Sequence, residues 1–78
     1  MSHTPHELHE EFPDFASKIS DLKQSDAHFS KLADAYHEVN RQVHRAETLV
    51  EPMDEQAEHG LRKERARLKD EIYRLLSA

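Results

Sequence analysis

Seven apolar side chains, Phe29, Leu32, Tyr36, Val39, Val43, Ala46 and Val50, recur at steps of three, four, three, four, three and four. Each step returns near the same side of a 3.6-residue spiral, so this is the seam of a helix packed lengthwise against another helix. Between the apolar residues stand Lys31, Asp34, Glu38, Arg41 and Arg45, as a solvated helix surface requires. Ser25 or Asp26 can cap the start, because a short side-chain oxygen accepts a hydrogen bond from an orphaned first-turn amide.

The stretch "VEPMDE" ends this helix. Pro52 has no amide hydrogen to continue it and pushes Glu51 out of the α region. Asp54 then suits the N-cap of a second helix, whose apolar positions are Ala57, Leu61, Leu68, Ile72, Leu75 and Leu76. Glu64 and Arg65 interrupt that stripe. Gly60 lies inside the helix at a cost of about 1 kcal/mol relative to alanine, and close approach of another chain is one reason for a glycine there. Helices over 25–50 and 55–77, joined by a turn over 51–54, predict an antiparallel coiled-coil hairpin. If facing residue numbers sum to about 104, Val43 meets Leu61, Tyr36 meets Leu68, Leu32 meets Ile72 and Phe29 meets Leu75. The same register sets Glu38 near Arg65 or Arg67, Asp34 near Lys69, and Arg45 near Glu58. Each exposed pair is worth only about 0–1 kcal/mol, but together they favour one register.

Residues 1–24 form an N-terminal helical segment of the same single domain. Thr4-Pro5-His6-Glu7 has the form of a capping box with proline at the first helical position. Pro13 interrupts this helix. Phe12, Phe15, Ile19 and Leu22 then make a second apolar stripe, out of phase with the first seam, so a kink or break is expected around Gln24–Asp26. In the hairpin register, residues 12–22 call for partners numbered about 82–92, beyond the last residue of the sequence. These side chains must fold back or pack against another protomer. A homo-oligomer is expected, most simply a dimer with a four-helix core.

The composition narrows the chemistry. Charged residues make up 35% and aromatic residues 6% of the chain, with one glycine, which suits exposed helices and not a sheet. There is no cysteine, so disulfides and thiolate metal sites are excluded, and a reducing cytoplasm fits. No apolar run is long enough to cross a membrane, and the acidic start lacks the basic-then-apolar order of a secretory signal. The net charge of −5 argues against nucleic acid as the main partner. Yet residues 1–40 balance to −5, residues 41–60 to −3 and residues 61–78 to +3. The basic end would face the acidic first helix of the hairpin.

The segments "HELHEEFPDF", "LKQSDAHFSKL", "YHEV" and "LRKERARLKDEIY" carry a family likeness. His6, Leu8, Glu11-Phe12-Pro13, Leu22-Lys23, Asp26, His28-Phe29, Leu32, Tyr36-His37 and Leu68-Lys69-Asp70-Glu71 are its main positions. Across nearly the whole chain it resembles the small bacterial YdcH-like proteins, a family of unknown function. That resemblance implies an antiparallel helical hairpin and brings no activity, cofactor or catalytic residue.

Several residues still suggest chemistry. His6 and His9 are three apart, with Glu10 beside them and His3 just ahead; such a pair can bind zinc, nickel or copper. There is no HExxH, and a short terminal helix offers little support around a metal. Exposed polar residues on a segment that docks through Leu8 and Phe12 account for the pattern better, so no metal or other cofactor is expected. His28, His37, His44 and His59 read as surface and boundary residues, with a pH-sensitive oligomer as the sharper alternative. "RKERARLK" offers Arg62, Arg65 and Lys69 near one side, a strip of the kind that contacts phosphates. No aromatic residues interleave to stack on bases, and ion pairing with the first helix explains the strip as well. Strand–turn elbows and glycine-rich phosphate loops are absent, and so thin a hairpin encloses no substrate-sized pocket. The reading is therefore a cytoplasmic, all-α, non-enzymatic interaction module that contacts itself and an unidentified protein partner through Phe12, Phe15, Ile19 and Leu22. Weak nucleic-acid association through Arg62, Arg65 and Lys69 is the alternative, with histidine metal binding third.

Overall fold

The structure, a computed structural model, describes residues 5–48 and 53–78. It is all-α. In chain order come α1 (Leu8–Glu11), a single 3-10 turn (Pro13–Phe15), α2 (Ala16–Ser25), α3 (Ala27–Glu47) and α4 (Glu55–Ser77). The two long helices run antiparallel. Near the turn Arg62 meets Glu47, and further along Arg65 meets Asn40, pairs whose numbers sum to 109 and 105. The Arg65–Asn40 pair falls within one of the expected sum of 104, whereas the pair nearer the turn departs from it by five.

Local chemistry explains the boundaries. The Asp54 carboxylate accepts from the Ala57 amide at 2.8 Å and starts α4, while the Asp26 carboxylate accepts from the Phe29 amide at 3.1 Å and starts α3. Asp26 is extended, with φ −128° and ψ 106°, and it alone separates α2 from α3. Ser25, the other cap candidate, lies in α2. The expected break thus falls on one residue. Pro13 begins the 3-10 turn, where its missing amide hydrogen costs nothing. Of the predicted turn over 51–54, Glu51 and Pro52 lie outside the described residues, as does Val50 at the end of the seam.

The front of the chain differs from the sequence reading. Helix α1 starts at Leu8, not Pro5, with Glu7 as its N-cap and the Glu10 carboxylate accepting from the Glu7 amide at 3.4 Å. His6 cannot be helical because its φ is +65°, a left-handed conformation uncommon outside glycine. Thr4, the expected cap, lies outside the described residues.

The main core cluster joins Leu8, Ile19, Phe29, Ala33, Tyr36, Leu68, Ile72 and Leu76, with Phe12, Phe15, Leu22, Leu32, Val39 and Leu75 packed around it, and Val43 and Ala46 are buried further along α3. Each large apolar side chain taken out of water contributes about 1.5–3 kcal/mol. The cluster draws on all four helices, so the N-terminal segment belongs to the core and is not an appendage. Its presence also widens the buried face of α3. Ala33 and Asn40 are buried, whereas Leu32 and Val39 of the seam are only half-buried, because α3 is covered by α4 on one side and by α1–α2 on the other.

Candidate functional site

The feature with the most built-in chemistry is the seat that the hairpin offers to residues 5–25. Apolar contact supplies the floor. Leu8 is 6% exposed and Ile19 is 5% exposed. Phe12 stacks on Tyr73 of α4 at 5.6 Å between ring centres, and Phe15 meets the same ring edge-on at 6.3 Å. The geometric premise that the second stripe lacks counterparts on the second helix is thus corrected. The segment doubles back at Asp26, so its residues meet α4 positions that a straight continuation of the hairpin register never reaches. Of the four expected contact residues, Ile19 is core, and Phe12, Phe15 and Leu22 are partly covered. Tyr73, nearly half exposed at 48%, was not among the apolar positions read for the second helix. Its spacing of four from Lys69 was the available signal, since both residues reach Phe12.

Polar contacts hold the segment at both ends. At the front, two side chains of α3 capture carbonyls of the bend before α1. The Tyr36 hydroxyl donates to the His6 carbonyl at 2.5 Å, and the Asn40 amide donates to the Pro5 carbonyl at 2.8 Å. Asn40 in turn accepts from Arg65 at 3.0 Å, so one side chain ties the bend to both long helices. Glu7 lies 3.1 Å from the Nδ1 atom of His37. In the middle, Lys69 donates to Glu11 at 2.8 Å and sits 5.7 Å from the centre of the Phe12 ring. At the back, Lys18 donates to the Leu76 carbonyl at 2.7 Å. A lysine there satisfies a carbonyl that the last turn of α4 leaves unpaired and meets the negative end of the helix dipole.

Electrostatics follow from these contacts. The hydrogen bond from Lys69, with help from His6, holds the Glu11 carboxyl below its ordinary value despite partial burial. Burial, reinforced by the negative charge of Glu11, pushes the Tyr36 phenol up to about 12. Tyr36 therefore stays a donor to the His6 carbonyl throughout the neutral range.

The remaining sequence candidates are placed as follows. Arg62 bonds Glu58 and Glu47, Arg65 bonds Asn40, and Lys69 bonds Glu11. All three residues of the basic strip thus have acceptors within the chain, though not the expected ones. Lys69 goes to Glu11 in place of Asp34. Arg67 pairs with Glu64 and Glu71 on its own helix, Glu38 accepts from Gln42 and lies near Arg41, and Glu58 serves Arg62. Short-range partners one helical turn away, the unforeseen Glu11, and the cross-hairpin acceptors Glu47 and Asn40 take the place of the expected pairs. His6 and His9 do not share a helix face, since His6 precedes α1 and its Nδ1 atom lies 3.5 Å from Glu11; His3 is outside the described residues. Among the described residues no group of three or more acidic or histidine side chains is arranged to hold a metal, and no helix is long and apolar enough to cross a membrane.

A family model described as "Protein of unknown function (DUF465)" matches residues 29–76. The matched stretch begins at the first core residue of α3, ends at the last core residue of α4, and leaves the N-terminal segment outside. No curated protein and no solved structure matches the chain.

Proposed function

The chain belongs to the DUF465 family, whose function is unknown, and from that premise we propose that it is a non-enzymatic interaction module whose hairpin captures an amphipathic helix. The carrying observation is the seat itself. Residues 29–76 already hold one amphipathic, mostly helical segment, residues 5–25, through an apolar floor, two captured carbonyls and a Lys69–Glu11 pair. A second helix with the same pattern of apolar and acidic residues meets the same contacts when the segment is away, which is helix-in-groove recognition. The likeness to the small YdcH-like proteins supports a bacterial coiled-coil hairpin working by contact. Nucleic-acid association draws less support, because its three basic residues are engaged by groups of the chain itself.

The test expels the segment and offers it back. An Ile19→Asp chain places a charge where the side chain is 5% exposed, and burying an unpaired carboxylate is strongly unfavourable. The hairpin should keep its helicity while the segment leaves. A labelled peptide of residues 5–25 should then bind the variant, read by fluorescence anisotropy, and bind the wild-type chain at least tenfold more weakly. A helical Ile19→Asp chain that ignores the peptide would remove helix capture as the function.

A further inference from the structure

We propose that the segment captured by this seat is residues 5–25 of a second copy of the same chain, exchanged reciprocally when α2 and α3 fuse at Asp26. The inference rests on helix capture as the module's work and names its partner. Three observations carry it.

First, the joint is one residue. Backbone bonds of the α-helical kind already approach it from both sides, from the Asp26 amide to the Leu22 carbonyl and from the Ser30 amide to the Asp26 carbonyl, both at 2.9 Å. In a continuous helix the amides of Ala27, His28 and Phe29 would bond to the carbonyls of Lys23, Gln24 and Ser25. In the bent form the Phe29 amide goes instead to the Asp26 carboxylate. The bent and straight forms thus exchange one side-chain cap for continuous backbone bonding, and a single change of the Asp26 dihedrals separates them.

Second, straightening leaves the stripe with one fitting surface. The N-terminal end of α3 lies beside the C-terminal end of α4, so a fused helix carries Phe12, Phe15, Ile19 and Leu22 past the end of its own hairpin. The seat that matches them, residue for residue, is then the vacant seat of another copy. Exchange of an identical element makes a closed two-fold dimer without any new complementarity.

Third, the charges specify the orientation. Glu11 meets Lys69 and Lys18 meets the carbonyl end of α4, and both contacts are equally available across two copies.

Two sets of variants test this by light-scattering mass at several concentrations. Asp26→Ala removes the cap of the bent form, and Asp26→Asn keeps an equivalent cap. Loss of one cap in each of two chains should strengthen dimerisation by roughly 20-fold or more for Asp26→Ala and leave Asp26→Asn near wild type. In the Asp26→Ala background, Glu11→Lys and Lys69→Glu chains are then mixed. Each alone sets like charges against each other. In a swapped heterodimer the segment carrying Glu11→Lys meets the seat carrying Lys69→Glu, and the unaltered segment meets the unaltered seat, so both contacts join opposite charges. Preferential heterodimer in the mixture supports exchange. A monomeric Asp26→Ala chain overturns it. So does a dimer indifferent to mixing, since its copies then meet through another surface. If the Ile19→Asp chain nonetheless binds the 5–25 peptide, helix capture stands and only the second copy as partner falls.

Discussion

Among the described residues Asn40 is the one buried polar side chain, at 1% exposure. Both its polar atoms have partners, the amide nitrogen donating to the Pro5 carbonyl and the oxygen accepting from Arg65. Removing one partner of a buried hydrogen-bonded group leaves the other unsatisfied, and the penalty exceeds the bond's own net worth. Asn40→Ala should therefore lower stability by about 1–3 kcal/mol, measured by urea unfolding, and should loosen the segment as well as the hairpin. Tyr36, one helical turn away, holds the neighbouring carbonyl and is worth about 0.5–1.5 kcal/mol as a hydrogen bond. These two residues also keep His6 in its left-handed turn, since the carbonyls of Pro5 and His6 on either side of it are both anchored to α3.

At the scale of elements, Gly60 offers the simplest check. A methyl group built on it meets no atom of the described residues within 4 Å, so no close approach among them requires a glycine there. Gly60→Ala should raise stability by about 0.5–1 kcal/mol, seen as a melting temperature higher by a few degrees. A lower melting temperature would mean that something outside the monomer packs against that surface. The helices were largely legible in the sequence, and for definite reasons. Asp54 caps α4, Pro13 stops α1, and the out-of-phase stripe places the break at Asp26, each through a side chain acting on its own neighbourhood. The interruption at Glu64–Arg65 also acquires a meaning, because Arg65 faces Asn40 across the hairpin as a polar layer. Such a layer fixes register, since a shifted pairing would bury either group alone. The seat was not legible. It depends on the angle at Asp26, and periodicity within a helix carries no information about the direction taken after a break. The Glu11–Lys69 pair and the stacking of Phe12 on Tyr73 join residues far apart in sequence and follow only from that angle.

At the scale of the molecule, the Glu11–Lys69 pair joins the segment to the hairpin, and acid should weaken that contact. Glu11 is held below its ordinary value in the folded chain. Its contribution is thus present above the unfolded carboxyl value and lost as pH falls through the lower folded one. The stability difference between wild type and Glu11→Gln should be full near neutrality, begin to shrink as pH falls below the ordinary carboxyl value of 4.5 and vanish once pH is below the lowered folded value. Melting temperatures at intermediate pH values check this, and a difference that stays constant on acidification would assign the contact no electrostatic role. The bond between Lys18 and Leu76 carries a consequence for how the chain is made. Its ends are 58 residues apart. At about 5–20 residues per second, a ribosome leaves roughly 3–12 s between making the segment and finishing its seat. An isolated helix as short as α2 is marginal in water, so throughout that interval the stripe lacks the surface that stabilises it. The order of synthesis thus makes the docking of the segment on α4 one of the last contacts the chain can form.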